Sequence, residues 1–353
     1  MTFQVMLVIY PFENYNFVEN MKNYDVYAIG NALVDIEYHA SNEKLTELDI
    51  EKGVMTLIDE DQQNSLINHL GDSHERMACG GSAANTIIAM AQLGAKTHFD
   101  CRVANDITGQ FFASDLHQSG VDSNLILDQK HTGVTGKCLV FVTPDADRTM
   151  NTFLGASAEL SPADIDEDAI KHSDFVYIEG YLVTADCTRQ AAISAMKLAR
   201  RYHKKTALTL SDPNMVIFFR EGMLEMIGDG VDLLFANEEE AYELAQTKDL
   251  EDAIEVIKGL ASTFAITRGK DGAILFDGEN IIEISGHTVA AIDTLGAGDL
   301  FAGAFMYGLS QGMNFKQSGD LASLASSKIV TQYGPRLEAS ETKAILAKFN
   351  AGI

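Results

Sequence analysis

Short apolar runs alternate along this chain with stretches of helical period. The runs at 26–29, 97–103, 175–178, 207–210, 233–236, 264–267 and 273–276 are brief and continuous, so they predict buried strands. Between them, apolar positions recur at helical spacing, or small residues cluster, over 83–93, 109–118, 188–202, 238–245, 250–260, 299–311 and 316–332. Such alternation predicts an α/β fold with a mainly parallel sheet flanked by helices. Ligands of such sheets gather at the carboxyl ends of the strands. Two regions break the alternation. Residues 36–40 with 54–58, and 133–153, read as strands without intervening helices, and they predict a small β-sheet lid with segments at about 36–58 and 133–155.

The chemistry concentrates where a β-rich stretch passes into a helix, at Asp293-Thr294-Leu295-Gly296-Ala297-Gly298-Asp299. Gly296, Ala297 and Gly298 have almost no side-chain bulk, so their N–H groups can approach an anion. The helix start adds unpaired N–H groups and the positive end of its dipole. Asp299 then stands where a carboxylate can touch whatever reacts beside that anion. A tight turn with an acidic first helical turn explains the same residues structurally.

A second glycine turn, Cys79-Gly80-Gly81-Ser82, leads into a helix carrying Asn85, and Ser82 reads equally well as that helix's N-cap. Asn31 and Asp35 close the first strand four residues apart, an arrangement suited to vicinal hydroxyls or to a capped turn. Asn237-Glu238-Glu239-Glu240 opens a helix after an apolar run. Its acids are either dipole partners or, through Asn237 and Glu240, organisers of the waters around magnesium. Thr267 and Gly269 sit in a turn between two strands, able to meet phosphate or ribose, and Arg148 in the expected lid can close over an anion.

Composition narrows the partners. Against 26 basic residues stand 51 acidic ones, a net charge of -25, which repels nucleic acid and anionic membrane. A polyphosphate must therefore be met locally, by backbone, metal and a few basic groups. Cys79, Cys101, Cys138 and Cys187 have no CxxC spacing, which reads as reduced thiols in a cytoplasmic protein. The apolar run at 6–10 is short and lacks a basic flank, so residues 1–21 read as a peripheral extension before a domain at 22–353, with Met21 an alternative start. No GxxxxGK[ST] loop, HExxH or GxSxG occurs, and no GxGxxG follows the first strand.

In this order, over roughly residues 24–337, these phrases resemble the PfkB (ribokinase-like) carbohydrate and nucleoside kinases. The resemblance implies a ribokinase-like three-layer core with a β lid, and transfer of the ATP γ-phosphate to a hydroxyl. It also implies roles. Asp299 would be the base, with the backbone of 296–298 as anion hole. Asn31, Asp35, Gly80, Gly81 and Asn85 would hold the acceptor, and Arg148 would close with the lid. Asn237, Glu240, Thr267 and Gly269 would serve the nucleotide, Glu240 meeting magnesium through water. Some such kinases bind potassium near the anion hole, and here the loops around Asp293 and Tyr333-Gly334 would supply it. Gly30-Asn31-Ala32-Leu33-Val34-Asp35-Ile36, Asp147-Arg148-Thr149-Met150 and Tyr177-Ile178-Glu179-Gly180-Tyr181 look more like adenosine kinases than sugar kinases. Tyr181 reads either as a stacking partner for a purine or as a half-buried tyrosine at a strand end. Asp212-Pro213-Asn214 resembles a sugar-kinase phrase instead, although Val216 replaces its arginine. The expectation is an ATP- and magnesium-dependent adenosine kinase, monomer or homodimer, with a ribose or fructose kinase as the alternative.

Overall fold

The computed structural model describes residues 23–71, 73–125, 132–145 and 148–352, so the expected extension at 1–21 and Asp147 lie outside the described residues. In chain order the strands are β1 (Tyr24–Ile29), β2 (Leu33–His39), β3 (Met55–Leu57), β4 (Arg76–Gly80), β5 (Thr97–Asp100), β6 (Thr135–Val142), β7 (Arg148–Gly155), β8 (Ser173–Ile178), β9 (Lys205–Thr209), β10 (Val231–Asn237), β11 (Ala261–Thr267), β12 (Ala273–Phe276) and β13 (Ile281–Ile284). One sheet among the described residues runs β13-β12-β11-β10-β9-β8-β1-β5. Its pairings are parallel from β5 across to β11, and β12 and β13 add an antiparallel edge.

The continuous apolar runs follow from burial on both faces. In β1, Val26 and Ala28 pack into one core while Tyr27 and Ile29 pack into the other. Helices Ser82–Leu93, Ala297–Ser310 and Phe315–Ile329 cover the first face; Asp186–Arg201, Pro213–Ile227, Glu238–Ala245 and Leu250–Lys258 cover the second. The result is the expected three-layer core. Because β1 lies between β5 and β8, the strand order reverses there, and a crevice opens beyond the carboxyl ends of β1 and β8.

The second sheet, β3-β7-β6-β2-β4, contains the expected lid strands and one more, β4. The expectation of strands without an intervening helix over 36–58 is corrected by the helix Asn42–Glu47, and a second helix, Glu60–Leu70, follows just past that segment. Ser41 caps the first by accepting the Lys44 N–H, and Asp59 with Gln62 forms a capping box for the second. Each cap satisfies end N–H groups that extended chain would have to pair elsewhere.

Candidate active site

Two helices of opposite chain ends meet at the crevice. Ser82–Leu93 and Ala297–Ser310 are rich in small residues, and the Cα of Gly303 lies so near the Thr86 carbonyl that a Cβ would be 2.6 Å from it. Phe305 fixes the second helix to the sheet, edge-on to Phe235 at 5.7 Å between centroids. This packing carries Asp299 to the start of the first helix. Ser82 Oγ donates to Asp299 Oδ1 at 2.6 Å, and Asn85 Nδ2 donates to Oδ2 at 3.0 Å. Ser82 therefore does not cap its helix; Gly81 holds the cap position, with φ +102° and no room for a Cβ against the Asn31 carbonyl. Burial pushes the Asp299 carboxyl up to about 6, while the Ser82 and Asn85 bonds pull it down.

The loop before Asp299 is shaped by its backbone. Gly296 is the cap residue of Ala297–Ser310 at φ +73°, and a Cβ there would lie 2.2 Å from the Pro335 carbonyl oxygen. The Ala297 N–H closes a turn onto the Thr294 carbonyl at 3.2 Å. Helix geometry leaves Gly298 and Asp299 N–H groups without intrahelical acceptors, and the space beside Gly298 is open for 4 Å around an added Cβ. Asp293 staples the loop: Oδ1 accepts from Leu295 N, and Oδ2 accepts from Gly334 N at 2.8 Å. The two loops named for potassium are thus adjacent. Arg148, the first residue of β7, reaches across from the second sheet to Asp293 at 2.9 Å and to Glu37 at 3.5 Å.

A cleft of about 760 Å³ joins these parts, lined by Asn31, Asp35, Gly81, Asn85, Arg148, Tyr181, Asn237, Glu240, Thr267, Gly296, Gly298 and Asp299. Gly80, Ala297 and Gly269 stand behind or beside the lining; Gly80 backs directly on the Asp35 carboxyl. Burial raises Asp35 to about 7, with the Arg336 guanidinium pulling the other way. Glu240 and Asn237 form a reciprocal cap. Asn237 N and Nδ2 donate to the two carboxyl oxygens of Glu240, and burial raises that carboxyl to about 8.

One group was overlooked by sequence reasoning. Glu179, 1% exposed at the end of β8, accepts from Asn31 Nδ2 at 2.8 Å and from the Ala83 N–H at 2.8 Å. It locks the acceptor-side loop to the helix that carries Asn85, and burial raises it to about 7. In the sequence it shows as a lone acid after an apolar run, inside the phrase Tyr177-Ile178-Glu179-Gly180-Tyr181. Asn85 supplies a second clue: its Oδ1 is buried with no hydrogen-bond partner.

The family model described as pfkB family carbohydrate kinase matches residues 54–343. The chain belongs to that family. As a pfkB kinase it is a phosphotransferase acting on sugar or nucleoside hydroxyl groups. The chain is 34% identical to a probable sugar kinase from Rhizobium etli, with a TM-score of 0.84 and coverage of 94% of this chain and 99% of that one. It is also 34% identical to the adenosine kinase of Sinorhizobium meliloti, with a TM-score of 0.84 and coverage of 92% and 100%. The adenosine kinase of Dictyostelium discoideum is 26% identical over 344 residues, which span 92% of this chain and 99% of that protein. Among the described residues no helix is long and apolar enough to cross a membrane.

Proposed function

We propose that this pfkB kinase transfers the γ-phosphate of ATP to the primary hydroxyl of a ribose, with adenosine as the acceptor. The observation that carries the reaction is the Asp299 carboxylate, held by Ser82 and Asn85 at the start of a helix whose first-turn residues Gly298 and Asp299 line the cleft. Asp299 takes the proton of the acceptor hydroxyl as its oxygen attacks the γ-phosphorus, and the bond from that phosphorus to the β,γ-bridging oxygen breaks to release ADP. The backbone at 296–298, chiefly the Gly298 end, stabilises charge developing on the transferring group. The buried Oδ1 of Asn85 takes a hydrogen bond from a ribose hydroxyl, and Asn31, Asp35 and Gly81 hold the others.

The donor set fits magnesium held indirectly. Glu240 already accepts two N–H bonds from Asn237, so it would meet the ion through water, and no group of three metal-binding side chains occurs among the described residues. When bound, the ion neutralises phosphate charge. Thr267 and Gly269 would meet the nucleotide, and the protein would act in the cytoplasm in purine salvage.

Adenosine is favoured by the second sheet's face on the cleft, where Leu33, Met55, Leu57, Val140, Met150 and Leu154 line the same cleft as Tyr181. An apolar wall suits a purine, whereas a free sugar needs a polar partner for each hydroxyl. A sugar acceptor is favoured by one feature, Asp212 at the cleft within Asp212-Pro213-Asn214. Turnover of adenosine, inosine, ribose and fructose in parallel separates the two. Asp299→Asn should lower kcat by roughly 10²–10⁴-fold with the fold intact; wild-type turnover in that variant removes Asp299 as the base.

A further inference from the structure

Ser82 has a hydroxyl with no capping duty. It is the first residue of Ser82–Leu93, the cap position belongs to Gly81, and the helix start has no side-chain cap bond. The hydroxyl instead donates to a carboxylate 217 residues away. Asn85, one turn on and on the same face, donates to that carboxylate's other oxygen. Two donors at fixed spacing on one rigid helix set the rotation of the Asp299 carboxyl group. Its remaining lone pairs then face the cleft.

Among the described residues no basic side chain forms an ion pair with Asp299, and beyond burial the groups that act on its carboxyl are Ser82 and Asn85. Arg148, on the same cleft, is engaged by Asp293 and Glu37. Hydrogen bonds therefore carry what an ion pair would otherwise supply. Of the two donors, the hydroxyl makes the shorter bond, and bonds to an ionised oxygen are the strong class.

We infer that Ser82 is the positioning residue of the reacting carboxylate, its hydroxyl aiming Asp299 at the acceptor and keeping it ionised at neutral pH. The inference rests on Asp299 being the base. Nothing in Ser82's place in the sequence, after two glycines and before a helix, separates this role from capping.

The test follows the carboxyl itself. Carboxyl-carbon NMR of aspartate-labelled protein gives the Asp299 titration midpoint, the resonance being identified by its loss in Asp299→Asn. Removing one donor to the charged form in Ser82→Ala should move that midpoint up by about one pH unit. The acid limb of kcat/KM should move with it, so activity falls about threefold at pH 6.5 and hardly at all near pH 8.5. Ser82→Thr, which restores the hydroxyl, should restore both. If the alanine variant does not fold, Ser82→Cys fills the space with a much weaker donor and should show the same shift. An Asp299 midpoint that stays in place without the hydroxyl overturns the inference. Wild-type turnover in Asp299→Asn would instead overturn the base assignment, and the midpoint would still decide whether Ser82 holds the carboxylate.

Discussion

Gly296→Ala tests whether the anion-facing loop is as constrained as its geometry implies. Two penalties can be worked out separately. An L-residue at φ +73° costs about 1–2 kcal/mol. The added Cβ would also sit 2.2 Å from the Pro335 carbonyl oxygen and 2.7 Å from its Cα. Both obstacles are backbone, so no rotamer change relieves them. The loop must recede by about 1 Å to reach ordinary contact, and a misplacement of that size can cost about 10²-fold in rate. The conformational penalty alone should lower the melting temperature by about 1–3 °C. Steady-state kinetics with saturating ATP and acceptor, beside a thermal melt, measure both effects. Gly298→Ala is the control, since a Cβ there meets nothing within 4 Å and the position is helical, so the melt should not fall. A Gly296→Ala enzyme with kcat within twofold of wild type would refute the argument that this loop's position governs phosphoryl transfer.

Arg148→Ala should destabilise the protein by about 3 kcal/mol in urea unfolding, because the Arg148 and Asp293 side chains are 8% and 4% exposed and the carboxylate loses its counter-charge. Asp293→Asn added to it should recover part of the loss; an unchanged midpoint for the single variant would show that the pair contributes nothing. Ligand-free protein should also lose thermal stability as pH rises from about 5.5 to 8.5. Burial holds Asp35 and Glu179 at about 7, Glu240 at about 8 and Asp299 at about 6, all above their unfolded values. The folded state therefore binds more protons, and the stability they add is complete below the unfolded pKa and disappears as pH passes through about 6–8. Glu240→Gln should flatten the upper part of that curve, and a melting temperature that climbs across the window would contradict the assignment.

Much of the core was legible because burial on both faces makes strand runs continuous, as with Val26 to Ile29. Helix Pro213–Ile227 escaped for the opposite reason. Phe219 has non-helical φ and ψ, and Phe218 is 72% exposed, so the apolar period is broken where a helix was to be sought. The site divides in the same way. Asp299 and the 296–298 loop are local in sequence and could be read as a unit. Ser82 and Glu179 acquire their roles from partners 217 and 148 residues distant, through bonds that no local pattern encodes. Arg148 shows a third case: its residue type suggested an anion, whereas its position in β7 gives it Asp293 and Glu37.

The charge on the cleft leads to a final prediction. Among the described residues lining it, six carry carboxyl groups (Asp35, Glu179, Asp212, Glu240, Asp293 and Asp299), and Arg148 is the one basic side chain. A like-charged pair 5 Å apart costs about 3 kcal/mol at an effective dielectric near 20, so a bare polyphosphate meets a wall that turns repulsive as pH rises through about 6–8 and these carboxyls ionise. Backbone N–H groups at a helix start offset only about 1 kcal/mol of that. Affinity for ATP should therefore depend on a divalent cation arriving with it, beyond any part the cation takes in chemistry. Calorimetric titration of ATP at pH 8.5 should show Kd rising at least about tenfold when EDTA replaces magnesium. Asp212→Asn, which removes a wall charge but no carboxyl placed in catalysis, should narrow that gap. Equal affinities with and without magnesium would mean that the carboxyls are neutral in the free enzyme or turned from the phosphates. The pH dependence of the melt would distinguish those two causes, because only neutral carboxyls release protons as the pH rises.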